Sequence, residues 1–268
     1  MTSMQARAPF SITTLGTGTC TPSVLRGTAA YVVTAGDQRY LVDSGSGTIA
    51  RLAAAGFHLD DLGAFFYTHT HLDHSGDLFN ILFSMRNGAN VNRTSLLPIY
   101  GPPGFVSYFD HLMVLYDRWV SSEAYDIEVA DMGGELKSVQ FGDLTVEAFR
   151  VRHSAVAVGY RFTLQDAYGD RVIAYTGDAD EGFDLEPLLK VADLAVLDCS
   201  TLAAHKLKGH LSAEQVGKIA SSAGVKRVVL SHFYPPLLTF PQLAVDEARS
   251  HCDSVVVAAS DGKTFKVV

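Results

Sequence analysis

Directly after the apolar run Ala64-Phe65-Phe66-Tyr67 comes Thr68-His69-Thr70-His71-Leu72-Asp73-His74-Ser75-Gly76-Asp77, with three imidazoles and a carboxylate close together. The apolar run reads as a buried strand, so the polar cluster emerges at a strand's C-terminal end, where open α/β sheets place their sites. In extended geometry His69 and His71 alternate around Thr70 and share a face, so they can grip one ion together. Asp73 and His74 follow where the chain turns and can aim at a second position. Imidazole nitrogen and carboxylate oxygen are ligands suited to zinc and its borderline neighbours.

The pattern His-x-His-x-Asp-His after an apolar strand resembles the signature of the metallo-β-lactamase superfamily, whose sites usually hold two metal ions. Further segments are similar to the ribonuclease Z branch. They are Leu15-Gly16-Thr17-Gly18-Thr19 with Thr21-Pro22-Ser23, Leu41-Val42-Asp43-Ser44-Gly45, and Tyr100-Gly101-Pro102-Pro103-Gly104. Gly159-Tyr160-Arg161, Tyr175-Thr176-Gly177-Asp178 and Ser231-His232 extend the likeness over most of the chain.

A chain of 268 residues can bury roughly three quarters of its unfolded surface, and no linker or charge run marks a boundary. We expect one hydrolase domain spanning 1–268. No apolar stretch reaches the ~18–20 residues of a membrane span. Met1 to Pro9 lacks the apolar core of an export signal. Three cysteines, Cys20, Cys199 and Cys252, cannot all pair. Their sparseness suits a reducing compartment, the cytoplasm. A net charge of −8 argues against a broad nucleic-acid surface.

Short apolar runs alternate with helical patterns twice along the chain. Strands are expected at Ile12 to Leu15, Ala29 to Val33, Arg39 to Val42, Ala64 to Tyr67 and Leu97 to Tyr100. Helices are expected at Thr48 to Ala55, Leu78 to Arg86 and Gly104 to Leu115, with Met85 to Ser95 and Asp117 to Gly134 irregular. The second half offers strands at Leu144 to Val151, Val156 to Leu164, Val172 to Tyr175, Leu194 to Leu197, Val228 to Leu230 and Val255 to Ala258. Helices at Ser212 to Ala223 and about Gln242 to Ser250 complete it. The resemblance implies the topology, a four-layer αββα sandwich.

In the second half His153, Asp178 and His232 each follow a strand-like run. By resemblance, His69, His71 and His153 hold the first ion, Asp73, His74 and His232 the second, and Asp178 bridges both. Asp73 also counts among the catalytic residues. His58, His111, His205 and His251 lack such settings. Two divalent ions, zinc first and manganese or iron(II) next, lower the pKa of bound water and make a shared hydroxide available near neutral pH. Such a centre hydrolyses phosphoryl or carbonyl substrates alike.

The segment Lys206-Leu207-Lys208-Gly209-His210-Leu211-Ser212-Ala213-Glu214-Gln215 narrows the choice. Ser212 and Gln215 have capping-box spacing, and a helix start there favours an anion. His210 stands just before it and can donate a proton to a leaving alkoxide. In ribonuclease Z-like proteins a similar His-Ser-Thr segment assists phosphodiester cleavage. Leu211 stands in place of that Ser, and Ser212 of the Thr. Ser212 and Arg161 are substrate-binding candidates, although Arg161 could equally pair with Asp43 or another carboxylate. Thr17-Gly18-Thr19 suits either a phosphate or a turn, and Arg26 has the same ambiguity. Tyr116, Trp119, Phe233 and Tyr234 suit either packing or a pocket wall.

Ribonuclease Z proteins that mature transfer RNA carry a long Gly/Pro-rich arm, in many between the third histidine and the bridging aspartate. Between His153 and Asp178 this chain has no room for one. The preferred reading is a dinuclear phosphodiesterase acting on a small or cyclic phosphodiester. The alternatives are a transfer RNA 3′ endonuclease, a carboxyl-bond hydrolase (lactonase, thioesterase or β-lactamase) and a non-enzymatic metal-binding protein. The resemblance also implies a homodimer, paired through the helix-rich region after the metal motif.

Overall fold

The computed structural model describes residues 7–182 and 185–268. Most of the Met1–Pro9 stretch considered above as an export signal therefore lies outside the described residues. The first half runs β1 (Phe10–Gly16), β2 (Ala30–Ala35), β3 (Gln38–Ser44), α1 (Thr48–Ala54), β4 (Leu62–Phe66), α2 (Leu72–Ser75), α3 (Leu78–Asn87), β5 (Leu97–Gly101), α4 (Phe105–Val120) and β6 (Ile127–Asp131). The second half runs β7 (Ser138–Phe141), β8 (Leu144–Val151), β9 (Ala157–Leu164), β10 (Arg171–Tyr175), α5 (Leu185–Leu189), β11 (Leu194–Asp198), α6 (Ala213–Ala223), β12 (Arg227–Ser231), α7 (Gln242–Arg249) and β13 (Val255–Ala258). Strand β14 (Lys263–Lys266) then returns to the first half.

Two seven-stranded sheets result, ordered β14-β1-β2-β3-β4-β5-β6 and β13-β12-β11-β10-β9-β8-β7. In the first, β14 to β3 pair antiparallel and β3 to β6 parallel. The second repeats that order of pairing, antiparallel from β7 to β10 and parallel from β10 to β13. Strands β10 and β11 are buried along their whole length, as expected of parallel strands covered on both faces.

Three apolar cores define the layers. One lies between the sheets, where Phe66 meets Tyr100, Tyr160 and Phe162 at ring separations of 5.2, 5.3 and 5.7 Å. A second joins β3, β4 and β5 to α1, α3 and α4 through residues such as Leu41, Leu52, Leu82 and Phe109. The third joins β10, β11 and β12 to α5, α6 and α7 through Leu188, Leu197, Val216 and Val245. Helix, sheet, sheet and helix stack in that order, which is the expected αββα sandwich. Among the described residues, no helix is long and apolar enough to cross a membrane.

One sequence expectation needs correction. Residues 117–134 are not irregular throughout. Helix α4 continues to Val120, and β6 adds an edge strand by pairing Leu97 with Ile127. The interval from His153 to Asp178, by contrast, is a hairpin of β9 and β10 with Leu164 opposite Arg171, and it carries no arm.

Candidate metal centre

The polar cluster forms where β4 ends. Thr68 donates from its backbone N–H and its hydroxyl to the Asp43 carboxylate at 2.8 and 2.9 Å. His71, in extended conformation, begins the single helical turn α2, which carries Asp73 and His74. The turn expected there is thus a helix. Gly45 lets it pack close: a Cβ at that position would lie 2.1 Å from the Asp73 carbonyl oxygen. Gly177, at φ +58°, plays the same part at the end of β10, where a Cβ would strike Thr68 at 2.6 Å. Asp178 is thereby brought against the β4 loop.

Two groups of side chains converge. His69 Nε2 lies 3.0 Å from His71 Nδ1, and His153 Nε2 lies 3.3 Å from that same nitrogen. Asp178 Oδ2 faces this trio, 3.8 Å from His69 and 3.7 Å from His153. In the second group His74 Nε2 and His232 Nε2 are 3.3 Å apart, and Asp73 Oδ2 is 3.6 Å from His232. The other carboxylate oxygen, Asp178 Oδ1, lies 3.1 Å from both of those nitrogens. One carboxylate therefore turns an oxygen to each trio.

These residues fit a pair of divalent ions. Ligands about 2.0–2.1 Å from a tetrahedral zinc stand roughly 3.3 Å from one another, close to the nitrogen separations found. The proton placement agrees. His74 Nδ1 donates to Asp43 at 2.7 Å and His153 Nδ1 to the Gly209 carbonyl at 2.8 Å. His69 Nδ1 donates to the Thr68 hydroxyl, whose own proton goes to Asp43. His232 Nδ1 faces Ser200 Oγ at 3.3 Å, and that hydroxyl donates to Asp198. Each of these four imidazoles keeps its Nε2 lone pair turned inward, as outer hydrogen bonds to metal-ligating histidines do. Asp178 Oδ1 is buried without a hydrogen-bond partner among the described residues, a costly state for a carboxylate with no cation to meet.

The electrostatics are those of a buried ionic cluster. Burial raises the Asp178 and Asp73 carboxyls, but the surrounding imidazoles overcome it and hold both well below the ordinary range. Burial pushes the His69 and His153 imidazoles down. For His74 burial acts in the same direction, yet the Asp178 and Asp43 charges raise it overall.

His210 stands on the flank of both groups, its ring 5.1 Å from that of His153 and stacked 5.3 Å from that of His232. Its Nδ1 donates to Asp198 Oδ2 at 2.9 Å. Burial alone would lower this imidazole, but the Asp198 hydrogen bond and charge, with Asp178, push it up to about 9. Tyr234 meets the His210 ring edge-on at 5.5 Å.

Several candidate residues are not in the centre. Arg161 donates to the Leu188 and Lys190 carbonyls at 3.1 and 2.9 Å and pairs with neither a metal-facing group nor Asp43. Its strand register places it opposite Glu147 on β8. Ser212 is a cap: it completes a capping box with Gln215. The first N–H groups of α6 are already engaged, Ala213 with the Thr201 carbonyl and Glu214 with Glu247. The anion-binding helix start read from the sequence therefore has its donors filled. Arg26 is tied to Thr17 and to the Ala259 carbonyl, and Thr17 in turn to Asp261. Tyr116 and Trp119, both on α4, line an apolar cavity of about 520 Å³ with Leu72, Phe79 and Tyr108. Phe233 is buried.

The fold and this double cluster define a class that comparison with known proteins identifies. A family profile described as the beta-lactamase superfamily domain matches residues 38–233. The chain belongs to that superfamily, as a hydrolase of the metallo-β-lactamase fold in its ribonuclease Z-like branch. A ribonuclease Z of Mycobacterium sp. (strain KMS) is 30% identical over 245 positions, 85% of either chain. A ribonuclease Z of Archaeoglobus fulgidus is 26% identical over 302 positions, 93% of this chain and 95% of that one. The crystal structure of the metallo-beta-lactamase fold protein YhfI from Bacillus subtilis superposes with a TM-score of 0.82 at 22% identity, covering 97% of this chain and 100% of that one.

Proposed function

We propose that this chain is a dinuclear phosphodiesterase acting on a small or cyclic phosphodiester, with 1–268 working as one domain. In this reading His69, His71 and His153 hold one ion, Asp73, His74 and His232 the other, and Asp178 both. When bound, the ions supply Lewis-acid charge and lower the pKa of water, zinc being the best match to the donors and manganese or iron(II) the next. His210 donates a proton to the leaving ester oxygen, and Asp198 fixes the ring that does so. The observation that carries the reading is His210 itself. Asp198 takes up Nδ1, the ring lies against those of His153 and His232, and Nε2 makes no hydrogen bond among the described residues. A lactone's leaving alkoxide would need the same proton, so the choice of a phosphodiester over a carbonyl substrate rests on the relatives. The two relatives named ribonuclease Z support a phosphodiester. The hairpin between His153 and Asp178 supports a small one over transfer RNA. The proposal also includes a cytoplasmic location and a homodimer.

Three measurements test this. Elemental analysis after metal-replete purification should find close to two divalent ions per chain. Parallel assays should find turnover of a phosphodiester and none of a lactone or β-lactam. His210→Ala should slow an alkyl diester by roughly 10²–10⁴-fold and an aryl diester, whose leaving group needs no proton, distinctly less. Equal slowing of both would remove the proton-donor role. Turnover of the carbonyl substrates alone would replace the reading with a carboxyl-bond hydrolase.

A further inference from the structure

A second ionic contact lies just outside the metal-facing groups. Asp180 follows the carboxylate that faces both trios by two residues, and its side chain points into the segment carrying His210. Lys206 Nζ donates to Asp180 Oδ1 at 2.7 Å, and the Gly209 N–H donates to Asp180 Oδ2 at 2.8 Å. The same ammonium donates to the Leu207 and His210 carbonyls. One carboxylate and one ammonium thus fold residues 206–210 into a closed loop.

That loop touches both parts of the site. The Gly209 carbonyl accepts the His153 Nδ1 proton at 2.8 Å, which leaves Nε2 facing Asp178. Gly209 sits at φ +89°, a backbone state natural only to glycine. The next residue is His210. On the other flank, the Asp180 N–H donates to the Arg152 carbonyl at 2.6 Å, so Asp180 holds the residue preceding His153 as well. Between the two aspartates, the Ala179 N–H donates to Asp198 Oδ2, the oxygen that also accepts from His210.

We infer that the Asp180–Lys206 pair is a positioning clasp, which sets the tautomer of His153 through the Gly209 peptide and the placement of His210 through the same loop. The inference rests on the roles proposed above for His153 and His210. The pair touches no reacting atom and acts only through these two imidazoles. Its loss therefore damages two separate properties together, retention of one ion and the proton transfer.

Asp180→Asn and Lys206→Met test this in the metal-loaded protein. Each variant should bind one of its two zinc ions about 10–100-fold more weakly in chelator competition, the range for partners of metal-ligating histidines. The cobalt-substituted protein should show a shifted visible spectrum. Each variant should lose more rate on an alkyl than on an aryl diester. The double variant should be no worse than either single one, and Lys206→Arg should restore both properties. Unchanged zinc affinity and cobalt spectrum in variants that melt like the parent would overturn the clasp. So would equal rate loss on the two diesters. If the parent protein turns over neither diester, the proposed activity fails, and the clasp is then judged by zinc affinity and the cobalt spectrum alone.

Discussion

Asp43, next to last in β3, has φ at 55° and is fully buried, while His232, just past β12, has φ at 62°. A non-glycine residue in this left-handed region costs about 1–3 kcal/mol and persists where surrounding contacts over-determine it. Here they do. Asp43 accepts from Thr68 twice, from His74 and from the Tyr175 hydroxyl at 2.9 Å. His232 is held by its N–H donating to the Thr17 carbonyl at 3.0 Å. Asp43→Asn keeps the size but removes the charge that fixes the His74 proton. It should weaken retention of the ion at the His74 group by about 10–100-fold, measured by metal content after graded dialysis. Parental retention would mean that Asp43 serves folding alone. The histidines were legible in the sequence because imidazoles at strand ends have few other uses. Asp43 and Asp198 lie at the ends of apolar strands, as Asp178 lies just beyond one, yet passed unnoticed as site residues. Whether such a carboxylate faces the ions or backs a histidine depends on local backbone geometry, which composition does not encode.

At the scale of elements, the central strands were legible to within about two residues, whereas α4 ran past its expected end at Leu115 to Val120, α5 was not foreseen, and of the four edge strands β13 alone was read. Strands β6, β7 and β14 are short, partly exposed and paired on one side only. Their alternation carries little apolar contrast. Strand β14 finds its partner, β1, at the far end of the chain. Away from the metal-facing end, a cluster of charged side chains stitches the sheets together. Asp166, in the turn between β9 and β10, accepts from Arg7 at 2.7 Å and lies 3.1 Å from Arg171. Arg171 in turn donates to the Ala8 and Val267 carbonyls beside the first sheet. The Arg7 hydrogen bond pulls the Asp166 carboxyl down from 3.8 to about 2. Because the folded value lies below the unfolded one, its contribution to stability is full above about pH 4 and is lost as pH falls through 2. The melting temperature of Asp166→Asn should therefore fall below the parent's at pH 6, and the gap should close on acidification to pH 2. A gap that persists there would show that charge is not the cause.

Over the whole molecule, two sheets with the same order of antiparallel and parallel pairs face each other across a core, although the halves share no literal repeat. Each sheet contributes part of the double cluster at its strand ends, so the cluster exists only when the sheets are docked. Outside the sandwich, α4 leaves Val114 and Leu115 85% and 69% exposed, with Trp119 at 47% and Phe83 of α3 at 43%. Exposed apolar side chains of this kind suit a partner, and a second copy of the chain is the partner proposed above. Light scattering at micromolar concentration should report a dimer, and Leu115→Lys should shift it toward monomer. A parent chain that is monomeric at that concentration would remove the claim.

The pairing of β14 with β1 places Ser11 directly opposite Lys266. The order in which the elements are written along the chain is therefore, in part, arbitrary. A short linker from residue 268 back to residue 7, with new ends cut at the exposed Gly142–Asp143 turn, would turn the same two sheets into a circular permutant. The metal-facing residues would keep every neighbour in space while exchanging their order along the chain. Such a permutant should retain its metal ions and melt cooperatively, as followed by calorimetry. If it emerged unfolded, the linear order would itself be needed for the halves to find each other.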